Sequence, residues 1–232
     1  MVEEFTSVVE EVEKKCSVRG AKCRVNDRLD TTFSYDVDTR EIEYNPRNIL
    51  TIFAEYSKLG IVKNLNEFIL YEIDHELKHR EFMDEISMQC PHKQRYSGLV
   101  HNVVQDPIIL VKLRNKYPLI DKYVKFICDV STLRRGVSRL NEVLELSEEE
   151  TIVNEFFYTL ILFTTCKLFG YSKHVDEVAK NIVDEKVREV LLKASDVVAQ
   201  ELRSYLSGQK TLCEITNDVK ERVAQVLKEL AH

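Results

Sequence analysis

The run His75-Glu76-Leu77-Lys78-His79 puts two histidines four residues apart, with a glutamate directly after the first. On a helix, residues i and i+4 stand on the same face, so both imidazoles can grip one ion from one side. Glu76 is turned about 100° from His75, near enough to reach a water beside that ion without ligating it. Two neutral nitrogens next to a carboxylate suit metal-assisted hydrolysis, and Zn2+ is the ion expected for such a set.

The flanking residues supply the helix. Phe68, Ile69, Ile73 and Leu77 form an apolar stripe, and Asn64 with Glu67 makes a capping box at its start. The competing reading is two solvated histidines on a charged amphipathic helix, since Glu72, Asp74, Lys78, Arg80 and Glu81 are close by.

Catalytic zinc takes three protein ligands and leaves one position open. The third is sought on a later helix, in His101-Asn102-Val103-Val104-Gln105-Asp106. At about 100° per residue, Val100, Val103, Pro107 and Leu110 gather on a buried face. Asn102 and Asp106 flank it, and His101 and Gln105 turn toward the polar side. A carboxylate at a core margin needs a partner. Asp106 is therefore the favoured ligand, with Asn102 as a supporting hydrogen-bonding group. His101 is the next candidate. Glu155 is the third, and is read rather as a core carboxylate paired with a Lys or Arg. Cys90 and His92 are metal-capable but isolated, and His174 and His232 are expected in solvent.

The chain has 232 residues, 44% hydrophobic and 31% charged, the balance of a soluble globular protein with ample core. Its net charge of −6 argues against nonspecific nucleic-acid binding. Six cysteines, Cys16, Cys23, Cys90, Cys128, Cys166 and Cys213, include no Cys-x-x-Cys pair, which excludes zinc-finger and thioredoxin spacing. Cys16 and Cys23 could bridge a helix-to-strand connection, but reduced buried thiols are expected in a cytoplasmic protein. That location is the expectation because Met1-Val2-Glu3-Glu4-Phe5 lacks a leader core. The longest apolar run, Phe156 to Phe163, is also too short to span a bilayer.

From the start, Val2 to Lys15 reads as an amphipathic helix with Phe5, Val8, Val9 and Val12 on one face. Cys23 to Tyr44 alternates with period two, giving a small antiparallel meander with a turn at Asp38-Thr39-Arg40. Asn45-Pro46 opens a helix that stops at Gly60, and the histidine-bearing helix follows. Ser87 to Arg95 reads as a loop. A helix from near Ser97 to Lys116 carries Pro107, which should kink it. Everything after Pro118 looks helical, with capping boxes at Ser147-Glu148-Glu149-Glu150 and Thr211-Leu212-Cys213-Glu214. Lys173 to Leu206 is long, with a break near Asp184-Glu185. The fold class expected is α+β, mostly α: residues 1–117 as one domain, and an all-helical half over 118–232.

Helix, small sheet, helix, His-Glu-x-x-His helix and a further ligand-bearing helix, in that order over residues 1–116, resemble the zincin metallopeptidases, above all minimal gluzincin-like forms. The resemblance implies a zinc-dependent peptidase acting on a peptide or protein, with His75 and His79 as ligands and Glu76 as general base. It also implies that Arg40-Glu41-Ile42-Glu43-Tyr44 borders the cleft and pairs with an extended substrate. Such families commonly carry Glu-x-x-x-Asp on the later helix. This chain has Asn102-Val103-Val104-Gln105-Asp106, which moves the ligand role to Asp106. Where they often have a small residue after the second histidine, it has Arg80. Tyr96, His101 and Tyr158 are candidate donors to a developing oxyanion. The alternative is a zincin-fold binding or regulatory protein in which metal is structural or lost. A di-iron site is disfavoured, because the overlapping Glu72-x-x-His75 and Glu76-x-x-His79 lie on one helix rather than on separate ones.

Overall fold

Val8, Val12 and Cys16 recur every four residues and are buried, which makes one stripe along the first helix, α1 (Val2–Val18). The computed structural model describes residues 2–90, 98–146 and 149–231, and among them it has ten helices and three strands. The α+β, mostly helical class expected from the sequence is therefore the class observed. The chain divides into two compact units, each made of two segments: Met1–Glu85 with Leu113–Lys122, and Ile86–Lys112 with Tyr123–His232. The sequence by itself suggests one cut, after residue 117.

In the first unit α1 is followed by β1 (Cys23–Val25), β2 (Phe33–Asp36) and β3 (Glu41–Tyr44). β3 is the middle strand, antiparallel to β2 and parallel to β1. This corrects two expectations, an all-antiparallel meander and a β3 edge free to pair with substrate. The cause lies in the β1–β2 connection. Asn45 Nδ2 donates to the carbonyls of Asp27 and Leu29, and Asn48 Nδ2 to those of Leu29 and Thr31. Those bonds carry the chain past β3, so β2 pairs on its far side and the free edges belong to β1 and β2. The expected turn is present: Asp36 Oδ1 accepts from the amides of Asp38 and Thr39, and Arg40 adopts φ 59°.

Helix α2 (Pro46–Lys58) begins as the sequence suggests, with Asn45 as N-cap accepting from the Arg47 and Asn48 amides. Gly60, at φ 70°, takes the left-handed conformation that ends many helices. Helix α3 (Leu65–Gln89) carries the two histidines. It extends through Ser87–Gln89, which the sequence reading had assigned to a loop.

In the second unit α4 (Gly98–Leu113) runs through Pro107. α5 (Leu119–Ile127) starts in the first unit's second segment and ends in the second unit, which continues with α6 (Val130–Leu146), α7 (Glu149–Leu168), α8 (Ser172–Ala179), α9 (Glu185–Leu206) and α10 (Leu212–Ala231). The core forms where α6, α7, α9 and α10 pack in succession. Leu133, Val137 and Leu140 of α6, Leu160 and Phe163 of α7, Val198 and Leu202 of α9, and Ile215 and Val219 of α10 are all buried there. Asp184 caps α9 by accepting from the Val187 amide, which accounts for the break foreseen there. Thr211 and Glu214 form the expected reciprocal capping box. The box at Ser147-Glu148-Glu149-Glu150 begins outside the described residues.

The expectation of reduced thiols is also corrected. The six cysteines form three disulfides, Cys16–Cys23, Cys90–Cys213 and Cys128–Cys166. Their Cα atoms stand 6.2, 5.7 and 5.4 Å apart, within the span a disulfide can bridge. Two of the pairs join residues far apart in sequence, so spacing could not reveal them. No described helix is long and apolar enough to cross a membrane.

Candidate metal centre

The orientation of α3 is fixed before its chemistry begins. Asn64 Oδ1 accepts from the amides of Asn66 and Glu67 and caps the helix. Phe68, Ile69 and Ile73 are fully buried and Leu77 nearly so. The rings of Phe53 and Tyr56 on α2 pack 6.3 and 6.0 Å from that of Phe68.

Asp74, next to the first histidine, is buried and held on several sides. Tyr117 donates its hydroxyl to Oδ2 at 2.5 Å. Arg19, just past the end of α1, places Nε 3.0 Å from Oδ1, and Lys116 forms an ion pair with Oδ2. Burial first, then the hydrogen bond to the Asp74 carboxylate and its charge, push the Tyr117 phenol well above its usual range. Tyr117 therefore stays protonated and keeps donating. A buried carboxylate is tolerated only when it is paired and hydrogen-bonded in this way. The arrangement fixes the rotation of α3 at the point where the two histidines start.

The two imidazoles face one another. Nε2 of His75 and Nε2 of His79 are 3.2 Å apart, with ring centroids at 4.9 Å and planes at 65°. Two nitrogens each about 2.05 Å from one tetrahedral zinc lie roughly 3.3 Å apart, so the observed separation fits a shared ion. Tyr71 packs edge-on against His75 with ring centroids at 6.0 Å, and Tyr117 packs against Tyr71 at 5.7 Å. The same tyrosine that holds Asp74 thus also backs the ring stack behind His75. Glu76 is buried on the same helix.

One turn earlier, Glu72 accepts a hydrogen bond from the Thr32 hydroxyl at 2.7 Å. Burial raises its carboxyl to about 7, opposed by the Thr32 hydrogen bond and reinforced by the charge of Glu76. Like charges one helical turn apart disfavour each other.

The remaining candidates fall out as follows. Asp106 stands on α4 in the second unit and is half-buried. Asn102 is exposed, which does not suit the supporting role expected of it. Gln105 is buried rather than polar-facing, because α4 is apolar on most of its circumference: Val103, Val104, Ile108, Ile109 and Leu110 are all buried. Of the oxyanion candidates, Tyr158 is exposed on α7, Tyr96 lies outside the described residues, and the side chain of His101 is not among those described. His92 and His232 are outside them too. Glu155 pairs with Arg139, Nε to Oε1 at 2.7 Å, the pairing with a basic side chain that the sequence favours over a ligand role. His174 is half-buried rather than solvated, its Nδ1 2.8 Å from the Cys128 carbonyl oxygen. Cys90 is taken by its disulfide.

Sequence reasoning missed Asp74, Tyr117 and Glu72. Asp74 and Glu72 looked like parts of a solvated charged face, and only their positions against the Phe68–Ile69–Ile73 stripe could have marked them as half-inward. Comparison with known proteins assigns no family, since no family model, no curated protein and no solved structure matches this chain.

Proposed function

We propose that this chain is a zinc-dependent hydrolase of peptide bonds, similar to the zincins, with His75, His79 and Asp106 as metal ligands and Glu76 as general base. The observation that carries the reading is the 3.2 Å between the two Nε2 atoms, which matches the spacing demanded by a shared zinc ion. Two histidine nitrogens and one carboxylate oxygen make a donor set found in catalytic rather than closed structural zinc sites. Zinc, when bound, lowers the pKa of a water toward neutral and polarises a carbonyl.

The chain's own residues do the rest. Glu76 takes the proton of the attacking water and passes it to the departing amide nitrogen. Its burial keeps bulk water from competing for that proton. Asp74, held by Tyr117, Arg19 and Lys116, sets the angle at which α3 presents His75 and Glu76.

Peptide or protein is the expected substrate, and neither nucleic acid nor membrane is an expected partner. The three disulfides set a condition on the cytoplasmic location. It requires a cytoplasm that leaves disulfides oxidised, as in hyperthermophiles, whereas a secreted or periplasmic location requires no such exception.

The test is Glu76→Gln. The variant should bind zinc as the native protein does and lose peptide hydrolysis by a factor on the order of 10² to 10⁴. Undiminished cleavage by Glu76→Gln defeats the mechanism. A native protein that binds zinc tightly but cleaves nothing defeats the enzyme reading in favour of a binding or regulatory zincin-fold protein.

A further inference from the structure

A cleft of about 340 Å³ opens in the first unit between the β1–β2 connection, α2 and α3. Asp30, Thr31, Thr32, Asn48, Thr51 and Glu72 supply its polar lining, and Ile52 and Tyr56 its apolar wall. The hydrogen-bond inventory of that lining is lopsided.

Thr31 donates its hydroxyl to the Phe33 carbonyl at 2.8 Å, and Thr51 donates to the Arg47 carbonyl at 2.9 Å. Thr32 gives its proton to Glu72. Both Nδ2 hydrogens of Asn48 go to the carbonyls of Leu29 and Thr31. Each of these four side chains has already spent its donors inside the protein and has only oxygen lone pairs left to offer. Apart from the Tyr56 phenol, the other two polar lining side chains are carboxylates, and none of the described lining residues is basic. A half-buried carboxylate is costly unless a cation pairs with it, and no basic side chain is among the described residues that line the cleft with Glu72.

A ligand complementary to this surface carries several N–H donors, a positive charge and little need for donors in return. We propose that the cleft binds an organic cation, an ammonium or guanidinium group, and that it serves as the subsite for a lysine or arginine side chain of the substrate. The first half stands on the cleft alone; the second rests on the peptidase reading. The volume exceeds what a bare ion needs and suits an extended side chain. Ile52 can take the methylene stem, and the Tyr56 ring adds a face that attracts cations. Glu72 also sits three residues before His75, four before Glu76 and seven before His79, so all four share one face of α3. Along α3, Glu72 stands about one helical turn, roughly 5.4 Å, before His75 and Glu76.

The experiment uses the full chain in EDTA, where metal-dependent cleavage is silent. The probes are acetyl-Ala-Ala-Lys-Ala-Ala-amide and its norleucine twin, titrated calorimetrically at pH 8. The lysine peptide should bind at least about tenfold more tightly, a difference of about 1.4 kcal/mol. Glu72→Gln should erase that preference and leave the norleucine peptide unchanged. Asp30→Asn, at an exposed position where folding is not at stake, should reduce it. Equal dissociation constants, no binding of either peptide, or a preference that survives Glu72→Gln overturn the proposal. Cleavage by the zinc-loaded protein separates the two readings. A lysine preference without cleavage of any peptide sinks the peptidase but keeps the cation site; cleavage of both twins at equal rates keeps the peptidase and sinks the subsite role.

Discussion

Tyr117 and Asp74, 43 residues apart, meet through a 2.5 Å hydrogen bond between phenol and carboxylate. The bond sits one residue before His75, and the Tyr117 hydroxyl also lies 3.3 Å from the Leu70 carbonyl on the preceding turn. The segment after α4 is thereby tied to two successive turns of α3. Tyr117→Phe keeps the ring packed on Tyr71 and removes only the donor. A hydrogen bond to a charged group contributes about 1.5–3 kcal/mol. Arg19 and Lys116 still reach Asp74 in the variant, so the loss expected in urea unfolding is near the low end, about 1.5 kcal/mol. Zinc affinity should fall as well, because the histidine-bearing turn loosens. An unchanged urea midpoint and an unchanged zinc affinity would show that this bond positions nothing.

Glu72 makes stability depend on pH in an uncommon direction. Its carboxyl titrates near 4.5 when unfolded and is raised to about 7 when folded, through burial and the Glu76 charge against the Thr32 hydrogen bond. Below about pH 4.5 both states hold the proton, so the group contributes nothing there. Between about pH 4.5 and 7 the unfolded chain releases it while the folded chain keeps it, and stability falls as pH rises. The full effect above pH 7 has a ceiling of about 3 kcal/mol, reduced by whatever screening the cleft's water supplies. Glu72→Gln cannot ionise. In EDTA it should be more stable than the native protein at pH 8, with the gap closing toward pH 4.5. A gap that stays constant across that range contradicts the account.

The disulfides give a chemical count. Denatured without reductant, the chain should show no free thiol; after reduction it should show six. Cys128 and Cys166 are fully buried and join residues 38 apart within the helical unit. Replacing both with alanine should cost about 3–4 kcal/mol in urea unfolding. Free thiols in the unreduced protein would contradict the pairing.

What the sequence made legible was local. Asn45-Pro46, the Asn64 cap, the Thr211–Glu214 box and the stop at Gly60 each depend on a few adjacent residues, and each is found as read. The two imidazoles of α3 meet because i and i+4 must. What stayed hidden was long-range. The parallel pairing of β1 with β3 depends on Asn45 and Asn48 catching a loop some 16 to 19 residues back. The partners of Asp74 lie 55, 43 and 42 residues away. The buried state of Gln105 follows from a helix that is apolar nearly all round, which periodicity could not orient. Glu155 was legible through physics, since a carboxylate in an apolar helix needs a cation and Arg139 provides one.

The claim on which everything else stands is that His75 and His79 hold one metal ion together. Zinc titration of the native chain, of His75→Ala and His79→Ala, and of Asp106→Ala and Glu155→Gln tests it directly. The account predicts one zinc per native chain, lost in either histidine variant, weakened at least about tenfold in Asp106→Ala and unchanged in Glu155→Gln. A native protein that takes up no zinc, or histidine variants that bind it as well as the native chain, would contradict it.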